Sequence, residues 1–255
     1  MHPVLFHFGS LTVYTYGFLI AVGFIVGILL AKREALRVGI DPDAIMDLSF
    51  YIIIAAIVGS RLFYVITTPD LYLAHPLEIF KIWNGGLVFY GGFIFAVATA
   101  LICMKLKGLP VWETTDIFAP SVALGQFFGR LGCFSAGCCF GKKCDLPWAV
   151  TFRDPDSLAP VGVLLHPTQL YDAFANLIIF FLLWRLRKNK RFSGQIFWTY
   201  VPLYGIARII VEIFRDDFRG HVFFGLFSIS QVIGAFMAIS GICMLAFLHR
   251  KYARN

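Results

Sequence analysis

Three arginines lie within stretches of sequence that are otherwise almost entirely apolar: Arg61, Arg130 and Arg208. A guanidinium at mid-bilayer depth costs at least roughly 2.5–3.5 kcal/mol on insertion scales. A cost of this size requires a compensating anion or a water-filled cavity. Because Arg130 and Arg208 have other polar residues as neighbours, they predict a binding site for an anionic lipid headgroup.

Arg130 lies near the end of an apolar stretch that also carries Gly125, Gly129 and Gly132. Small residues at this spacing allow another backbone to approach closely. Gln126 precedes Arg130 by four residues, so both side chains lie on one helix face. Either Arg130 extends along its apolar stem to the outer membrane interface, or it lines a polar pocket with Gln126 and Gly129. The glycines and Gln126 favour the pocket.

A second charged stripe contains Tyr204, Arg208 and Glu212, each four residues after the one before. This spacing places the three side chains along one face of a helix. Arg208 and Glu212 can pair, which lowers the cost of burying both. The pair either only fixes helix packing or forms a headgroup cradle. In the cradle, Glu212 orients Arg208 and Tyr204 adds a hydroxyl donor.

Further polar side chains are predicted near the outer membrane face, on the same side as Arg130 and Arg208. Among them are Tyr16, Tyr90 and His166. A single tyrosine at such a position is typical of an interface anchor. A single histidine is more often structural than catalytic. Their shared membrane face favours one common site.

Four cysteines crowd one segment: Cys133, Cys138, Cys139 and Cys144. The paired C-x-x-C spacing of common metal sites is absent, so the segment predicts a metal site poorly. A disulfide is compatible with an outer, oxidising location, and Cys139–Cys144 is the predicted pair. Alternatively, Cys133 and Cys138 pack as small apolar residues.

The composition places these groups in a polytopic membrane protein. Of the 255 residues, 59% are hydrophobic and 15% are charged, with a mean hydropathy of +0.77; a soluble domain is about 45–50% apolar. We expect one all-α membrane domain over residues 1–255. The first apolar run is too long for a signal peptide and is predicted to be a retained helix. The seven predicted spans are residues 11–31, 46–67, 87–104, 114–134, 168–186, 195–214 and 223–248.

Clusters of Lys and Arg follow the first, third, fifth and seventh spans. With seven spans, all four clusters fall on one side, which the positive-inside rule makes cytoplasmic. The N-terminus is therefore expected outside and the C-terminus inside. The same rule explains the net charge of +7 without a nucleic-acid partner. Residues 135–167, the longest connection, are predicted to form a small extracytoplasmic cap.

The chain resembles the prolipoprotein diacylglyceryl transferase family over its whole length. The residues that carry the resemblance are the run from Gly129 to Gly141, the run from His166 to Tyr171, and the Tyr204, Arg208, Glu212 and Arg215 pattern. Where the family has Asn and Glu in its signature, this chain has Cys133 and Cys138. Where the family often has His, this chain has Tyr90.

The resemblance implies transfer of the diacylglyceryl group of phosphatidylglycerol to the lipobox cysteine of a preprolipoprotein signal peptide, in a bacterial cytoplasmic membrane. No metal, nucleotide or redox cofactor is implied. Arg130 and Arg208 would hold the headgroup and stabilise its growing charge. The implied lipid-binding residues also include Tyr16, Gly129, Gln126 and Gly141. Tyr204 supports the catalytic arginines, and the base that deprotonates the thiol is Tyr90, His166 or Glu212.

Two other functional classes fit parts of the sequence. A transporter or flippase could use the buried arginines to bind an anionic solute or lipid, although the inverted repeats of such folds are not visible. A quinone-linked thiol oxidoreductase could use the clustered cysteines, although it would require redox-active cysteines at C-x-x-C spacing.

Overall fold

The computed structural model describes residues 2–8, 11–82, 85–216, 221–222 and 227–253. Seven long apolar helices within these ranges confirm an all-α polytopic membrane protein. Many large apolar side chains on these helices are exposed, as expected for surfaces that contact lipid. The long helices are α1 (Thr15–Val38), α2 (Pro42–Thr67), α4 (Phe89–Leu106), α5 (Val111–Ala136), α6 (Thr168–Leu186), α7 (Gln195–Ile213) and α8 (Ile229–Ala253), and α3 (Pro69–Ala74) is short.

The predicted bounds differ from the observed ones most at the two ends of the chain. Leu11–Tyr14 form a strand, β2, that pairs antiparallel with β1 (Val4–Phe8), so the first helix begins only at Thr15. The first four residues of the predicted span therefore belong to a β-hairpin, and the rest of the span is helical. The predicted last span began at residue 223, and residues 223–226 lie outside the described residues. Helix α8 continues to Ala253, beyond the predicted end at 248.

The described chain forms two compact units. The first contains Met1–Leu30 and Thr115–Asn255, and the second contains Ala31–Thr114. In the first unit α7 packs on α8 through Gly205 and Gly234, where a Cβ on Gly205 would come 2.5 Å from the Gly234 carbonyl oxygen. In the second unit α2 packs on α4 through Gly59 and Gly91 in the same manner. Small residues thus allow close helix contact in both units.

Asp116 on α5 caps the N-terminus of α7. Its carboxylate accepts hydrogen bonds from the backbone N–H groups of Gly194, at 2.8 Å, and Phe197, at 2.9 Å. Lys190 Nζ lies 3.3 Å from the same carboxylate. A carboxylate at this position satisfies otherwise unpaired N–H groups and complements the helix dipole. The contact fixes α7 against α5, the two helices that carry Arg208 and Arg130.

The connection between α5 and α6 folds as a small cap. Strands β3 (Val150–Thr151) and β4 (Leu164–Leu165) pair antiparallel within it. Phe152, Ala159 and Leu165 form its own buried apolar core. The predicted cap is therefore confirmed as a folded segment. The side of the membrane on which it lies remains a prediction. A second short pair, β5 (His221–Val222) and β6 (Phe227–Ser228), precedes α8.

Candidate active site

Arg130 on α5 forms an ion pair with Asp172 on α6. Arg130 Nε lies 2.9 Å from Asp172 Oδ2. Asp172 is only 1% exposed. Asn176, one turn further along α6, donates an amide hydrogen to Asp172 Oδ1 at 3.0 Å. An isolated charged carboxylate is very costly to bury. The ion pair with Arg130 therefore stabilises the charged form of Asp172.

Three charged residues continue this arrangement along α7 and just beyond it. Arg208 Nη2 lies 2.7 Å from Glu212 Oε2, so the predicted ion pair is present. Arg215 Nε lies 3.8 Å from the same oxygen. The Ser228 hydroxyl donates to the other oxygen, Glu212 Oε1, at 3.0 Å. Glu212 is thus held on both sides.

The two ion-pair groups meet at Asp172, since Arg208 Nη1 lies 3.6 Å from Asp172 Oδ2. We call Arg130, Asp172, Arg208, Glu212 and Arg215 the arginine cluster. Within these five residues, three guanidinium charges against two carboxylate charges give a net charge of +1. A buried surplus charge of this kind favours the binding of an anion.

Two atoms at the centre of the arginine cluster, Arg208 Nη1 and Asp172 Oδ2, are buried without a hydrogen bond to any of the described residues. The Arg130 Nε–H is close to Oδ2 but is not aligned for a hydrogen bond, and 3.6 Å is too long for one. A buried, unsatisfied group costs roughly 1–3 kcal/mol, and more when it is charged. Unsatisfied atoms inside an otherwise paired cluster are expected where a ligand binds.

Two residues that were predicted for the site, Gln126 on α5 and Tyr204 on α7, are connected through Tyr200. The Tyr200 hydroxyl donates to Gln126 Oε1 at 3.0 Å. The Tyr200 ring stacks on Tyr204, with 5.7 Å between ring centroids. The Tyr204 hydroxyl is close enough to Arg130 for electrostatic interaction. Tyr200, which the sequence analysis did not single out, therefore connects Gln126 to Tyr204.

Tyr16, in the first turn of α1, also approaches the arginine cluster. It packs on Gly132, where a Cβ would come 3.0 Å from Tyr16 Cδ2. It is within electrostatic range of Arg130. A Cβ built on Gly129 meets no atom of the other described residues within 4 Å, apart from its chain neighbours and its own helix backbone. Among these residues there is therefore open space beside Gly129.

His166 and Gly141 lie where the cap joins the helices. His166 Nδ1 is 3.1 Å from the Tyr171 hydroxyl, which also accepts a hydrogen bond from the Trp148 indole at 2.8 Å. Gly141 donates its N–H to the His166 carbonyl at 3.1 Å and forms a backbone bridge with Arg215. His166 is therefore connected to the arginine cluster through backbone contacts.

Tyr90 and Arg61 belong to the second unit. Tyr90 is 58% exposed, and its part in the reaction remains a prediction. Arg61 is 7% exposed and donates only to backbone carbonyl oxygens among the described residues. Those carbonyls belong to Glu78, Ile79, Lys81, Gly85 and Gly86. Arg61 thus joins α2 to the segment before α4.

Asp172 was not predicted from the sequence, although it lies one residue beyond the run from His166 to Tyr171. A signal was present, because a carboxylate inside an apolar span is rare and usually paired. Asn176, four residues later, predicts a polar neighbour on the same helix face. From the sequence, Arg215 was predicted only as the last residue of the pattern with Tyr204, Arg208 and Glu212. In the structure Arg215 is buried, with 6% exposure.

The predicted Cys139–Cys144 disulfide is wrong. All six cysteines lie within the described residues, and none forms a disulfide. Cys144 instead lies in the cap, where its N–H donates to the Leu164 carbonyl at 3.2 Å. The backbone pairing of the cap therefore determines the position of Cys144.

The other three crowded cysteines come together. The sulfur atoms of Cys133, Cys138 and Cys139 lie within 4.8 Å of one another. Gly137, with a φ of 76°, reverses the direction of the chain at the end of α5. A search for C-x-x-C spacing does not detect such a turn. Hydrogen bonds from the Cys133 and Cys138 thiols lower the pKa of the Cys139 thiol, and Arg215 lowers it further.

The seven apolar helices define a polytopic membrane protein, and the arginine cluster is its candidate site for an anion. The family model of prolipoprotein diacylglyceryl transferase matches residues 3–247. A Clostridium tetani protein named phosphatidylglycerol–prolipoprotein diacylglyceryl transferase is 41% identical over 243 residues, covering 95% of this chain and 96% of that protein. A Finegoldia magna protein of the same name is 38% identical over 245 residues, covering 96% and 94%. The chain therefore belongs to the prolipoprotein diacylglyceryl transferase family.

Proposed function

We propose that this protein transfers the diacylglyceryl group of phosphatidylglycerol to the lipobox cysteine thiol of a preprolipoprotein signal peptide. The net +1 charge of the arginine cluster carries the proposal, because it matches the single negative charge of a phosphodiester. The relatives are named for the same two substrates. Neither the transporter nor the oxidoreductase hypothesis gains support from them.

The reaction forms one bond and breaks one. The cysteine sulfur of the signal peptide, as thiolate, attacks the glycerol carbon that carries the phosphate ester. The carbon–oxygen bond breaks, and its electron pair leaves with the phosphate oxygen as glycerol-1-phosphate. The thiol proton passes to a base. A thioether joins the diacylglyceryl group to the peptide.

The arginine cluster supplies the electrostatic part of this reaction. As the carbon–oxygen bond breaks, negative charge grows on the phosphate. Arg208 Nη1, which has no hydrogen-bond partner in the part of the chain that the structure describes, and the more accessible Arg130 would donate to the phosphate oxygens. Fixed donors in a site of low dielectric stabilise charge that grows in the transition state. Asp172 would hold both guanidinium groups in position.

Of the two candidate bases in the first unit, His166 is the better placed. Both Glu212 oxygens are engaged, by Arg208 and by Ser228, so Glu212 serves to orient Arg208. The Tyr171 contact at His166 Nδ1 fixes the imidazole and leaves Nε2 to accept the thiol proton. Imidazole is the most frequent general base in enzymes. Tyr90, in the second unit, stays a third candidate base.

The protein is proposed to lie in the bacterial cytoplasmic membrane with its N-terminus outside and its C-terminus inside. The basic clusters support this orientation, because they follow α1, α4, α6 and α8. The arginine cluster then lies toward the outer face, where signal peptides of exported proteins emerge.

A reconstituted assay tests the proposed function. Protein in vesicles that contain phosphatidylglycerol is mixed with a lipobox peptide, and thioether formation is measured by mass spectrometry. Arg130→Ala should abolish transfer, whereas Arg33→Gln, at an exposed arginine in the last turns of α1, should retain it. Near wild-type transfer by Arg130→Ala would refute the role of the arginine cluster. Absence of transfer by a folded wild-type protein would refute the reaction itself.

A further inference from the structure

The three cysteines at the end of α5 form a compact group that the proposed reaction does not use. Cys133 is in the last turn of α5, and Cys138 and Cys139 follow Gly137 directly. Their three sulfur atoms lie within 4.8 Å of one another. The thiol of Cys138 also points back at the Cys133 carbonyl oxygen, with 3.7 Å between the two atoms. We call Cys133, Cys138 and Cys139 the thiol cluster.

The surrounding structure holds the thiol cluster in place. Gln169 donates to the Cys138 carbonyl and Thr168 donates to the Cys139 carbonyl, each at 2.8 Å. Both donors are 1% exposed. Such buried side-chain contacts to consecutive carbonyls fix the backbone on which two of the three thiols stand.

Cys139 adopts an unusual backbone conformation. Its φ is 63°, and no other non-glycine residue among those described has a positive φ. A side chain with a Cβ is strained in this region, and such strain persists only where neighbouring contacts impose it. Here the strained turn has one evident result, since it brings the Cys139 thiol to the other two.

Three thiols in this arrangement fit one class of ligand. Soft thiolate ligands select thiophilic d10 ions such as Zn²⁺ and Cu⁺. With metal–sulfur bonds of about 2.3 Å, a trigonal site places its sulfurs about 4.0 Å apart. The observed separations therefore require only small side-chain adjustments. Arg130 and Arg215 are within electrostatic range of Cys139.

We propose that the thiol cluster is a binding site for one thiophilic divalent ion of the zinc class. Binding would release three thiol protons and form three metal–sulfur bonds, giving a group of net charge −1. Oxidation states do not change, so no oxidant is needed. The proposal goes beyond lipid transfer and does not depend on it, because the ion would bind whether or not the chain is active.

Titration with Cd²⁺ tests this site directly. Protein purified in detergent with a thiol-free phosphine reductant is titrated while ultraviolet thiolate-to-metal absorption is recorded. We expect one Cd²⁺ per protein with high affinity, and competition only from excess Zn²⁺. Losing one thiolate should weaken binding by more than the roughly 100-fold that loss of an outer-shell partner can cost. Cys139→Ser and Cys138→Ser should show this loss, and Cys144→Ser should not.

The controls make each outcome decisive. Thermal unfolding is measured for every variant, and Cys133→Ser replaces any variant that does not fold. Wild-type protein without stoichiometric Cd²⁺ absorption would overturn the proposal. Retention of binding in both Cys138→Ser and Cys139→Ser would also overturn it, as would an equal loss in Cys144→Ser. Transfer activity is assayed separately, so failure of the metal site and failure of the proposed reaction can be told apart.

Discussion

Arg61 and Arg208 are buried to the same extent, at 7% exposure, but their partners differ in kind. Arg61, in the second unit, donates through all three of its nitrogens to backbone carbonyls. Arg208, in the first unit, contacts two carboxylates and has one nitrogen without a hydrogen bond to the residues described. The difference shows that burial of a charge does not by itself indicate a binding site. A site needs donor capacity that the protein leaves unused.

The aromatic surroundings of Arg61 support this distinction. Its guanidinium carbon lies 5.2 Å from the centroid of the Tyr72 ring and 5.9 Å from that of Tyr64. The ring faces and the carbonyl dipoles together solvate the cation. Arg61 therefore acts as a structural connection between α2 and the segment before α4, while Arg208 belongs to a cluster with surplus charge.

The largest expected effect concerns Asp172, the carboxylate shared by two arginines. Asp172→Asn should reduce stability by about 3–5 kcal/mol, because it leaves two guanidinium groups without their common counter-charge. Thermal unfolding in detergent measures this loss. Asp156→Asn, at an exposed position of the cap, is the matched control and should unfold as the wild type does. Equal stability of Asp172→Asn and the wild type would show that the arginines do not need this carboxylate.

Arg208→Ala should primarily affect catalysis. Loss of one preorganised donor to a growing charge raises a barrier by about 2.7–4 kcal/mol, which lowers the transfer rate by roughly 100- to 1,000-fold. The vesicle assay measures this rate, and Arg185→Ala, at an exposed arginine near the end of α6, should leave it unchanged. If Arg208→Ala lost stability but retained its transfer rate, Arg208 would be structural like Arg61.

Arg61→Met should have the opposite profile. The substitution leaves buried carbonyls without their donor, at a cost of at least about 1–3 kcal/mol in stability. The folded fraction should still transfer lipid at a rate near that of the wild type, because in this account Arg61 does not bind substrate. Transfer is normalised to folded protein measured by size-exclusion chromatography. Complete loss of transfer in stable, folded protein would place Arg61 in the substrate site.

Lys190→Met should have the smallest effect, roughly 0–1 kcal/mol in stability. Asp116 keeps its two backbone N–H donors in this variant, so the N-terminus of α7 remains capped. Thermal unfolding measures the change. Asp116→Ala is the informative comparison, since it removes the cap itself and should cost more. Equal losses for both variants would mean that the Lys190 ion pair, and not the cap, holds α7.

The sequence was sufficient to predict the architecture and one side of the site. Seven apolar runs predicted the seven helices, because the length needed to cross a bilayer is fixed. The four-residue spacing of Arg208 and Glu212 predicted their ion pair, because helix geometry alone brings them together. These predictions succeeded where the interaction is local or depends only on composition.

Interactions between distant segments could not be predicted in the same way. The partner of Arg130 is 42 positions away on another helix, and only the packing of α5 against α6 brings Asp172 to it. The partners of Arg61 are backbone carbonyls, which every residue has and no sequence pattern distinguishes. The thiol cluster depends on a positive φ at Cys139, a residue type that seldom adopts one.

Binding of phosphatidylglycerol, measured without turnover, tests whether the surplus guanidinium charge of the arginine cluster holds a lipid phosphate. Native mass spectrometry can measure the affinity of the detergent-solubilised protein for phosphatidylglycerol without any turnover. The account predicts that an Arg130→Ala, Arg208→Ala double variant binds at least about tenfold more weakly, a difference of 1.4 kcal/mol, while Arg33→Gln binds as the wild type does. Undiminished binding of phosphatidylglycerol by the folded double variant would contradict it.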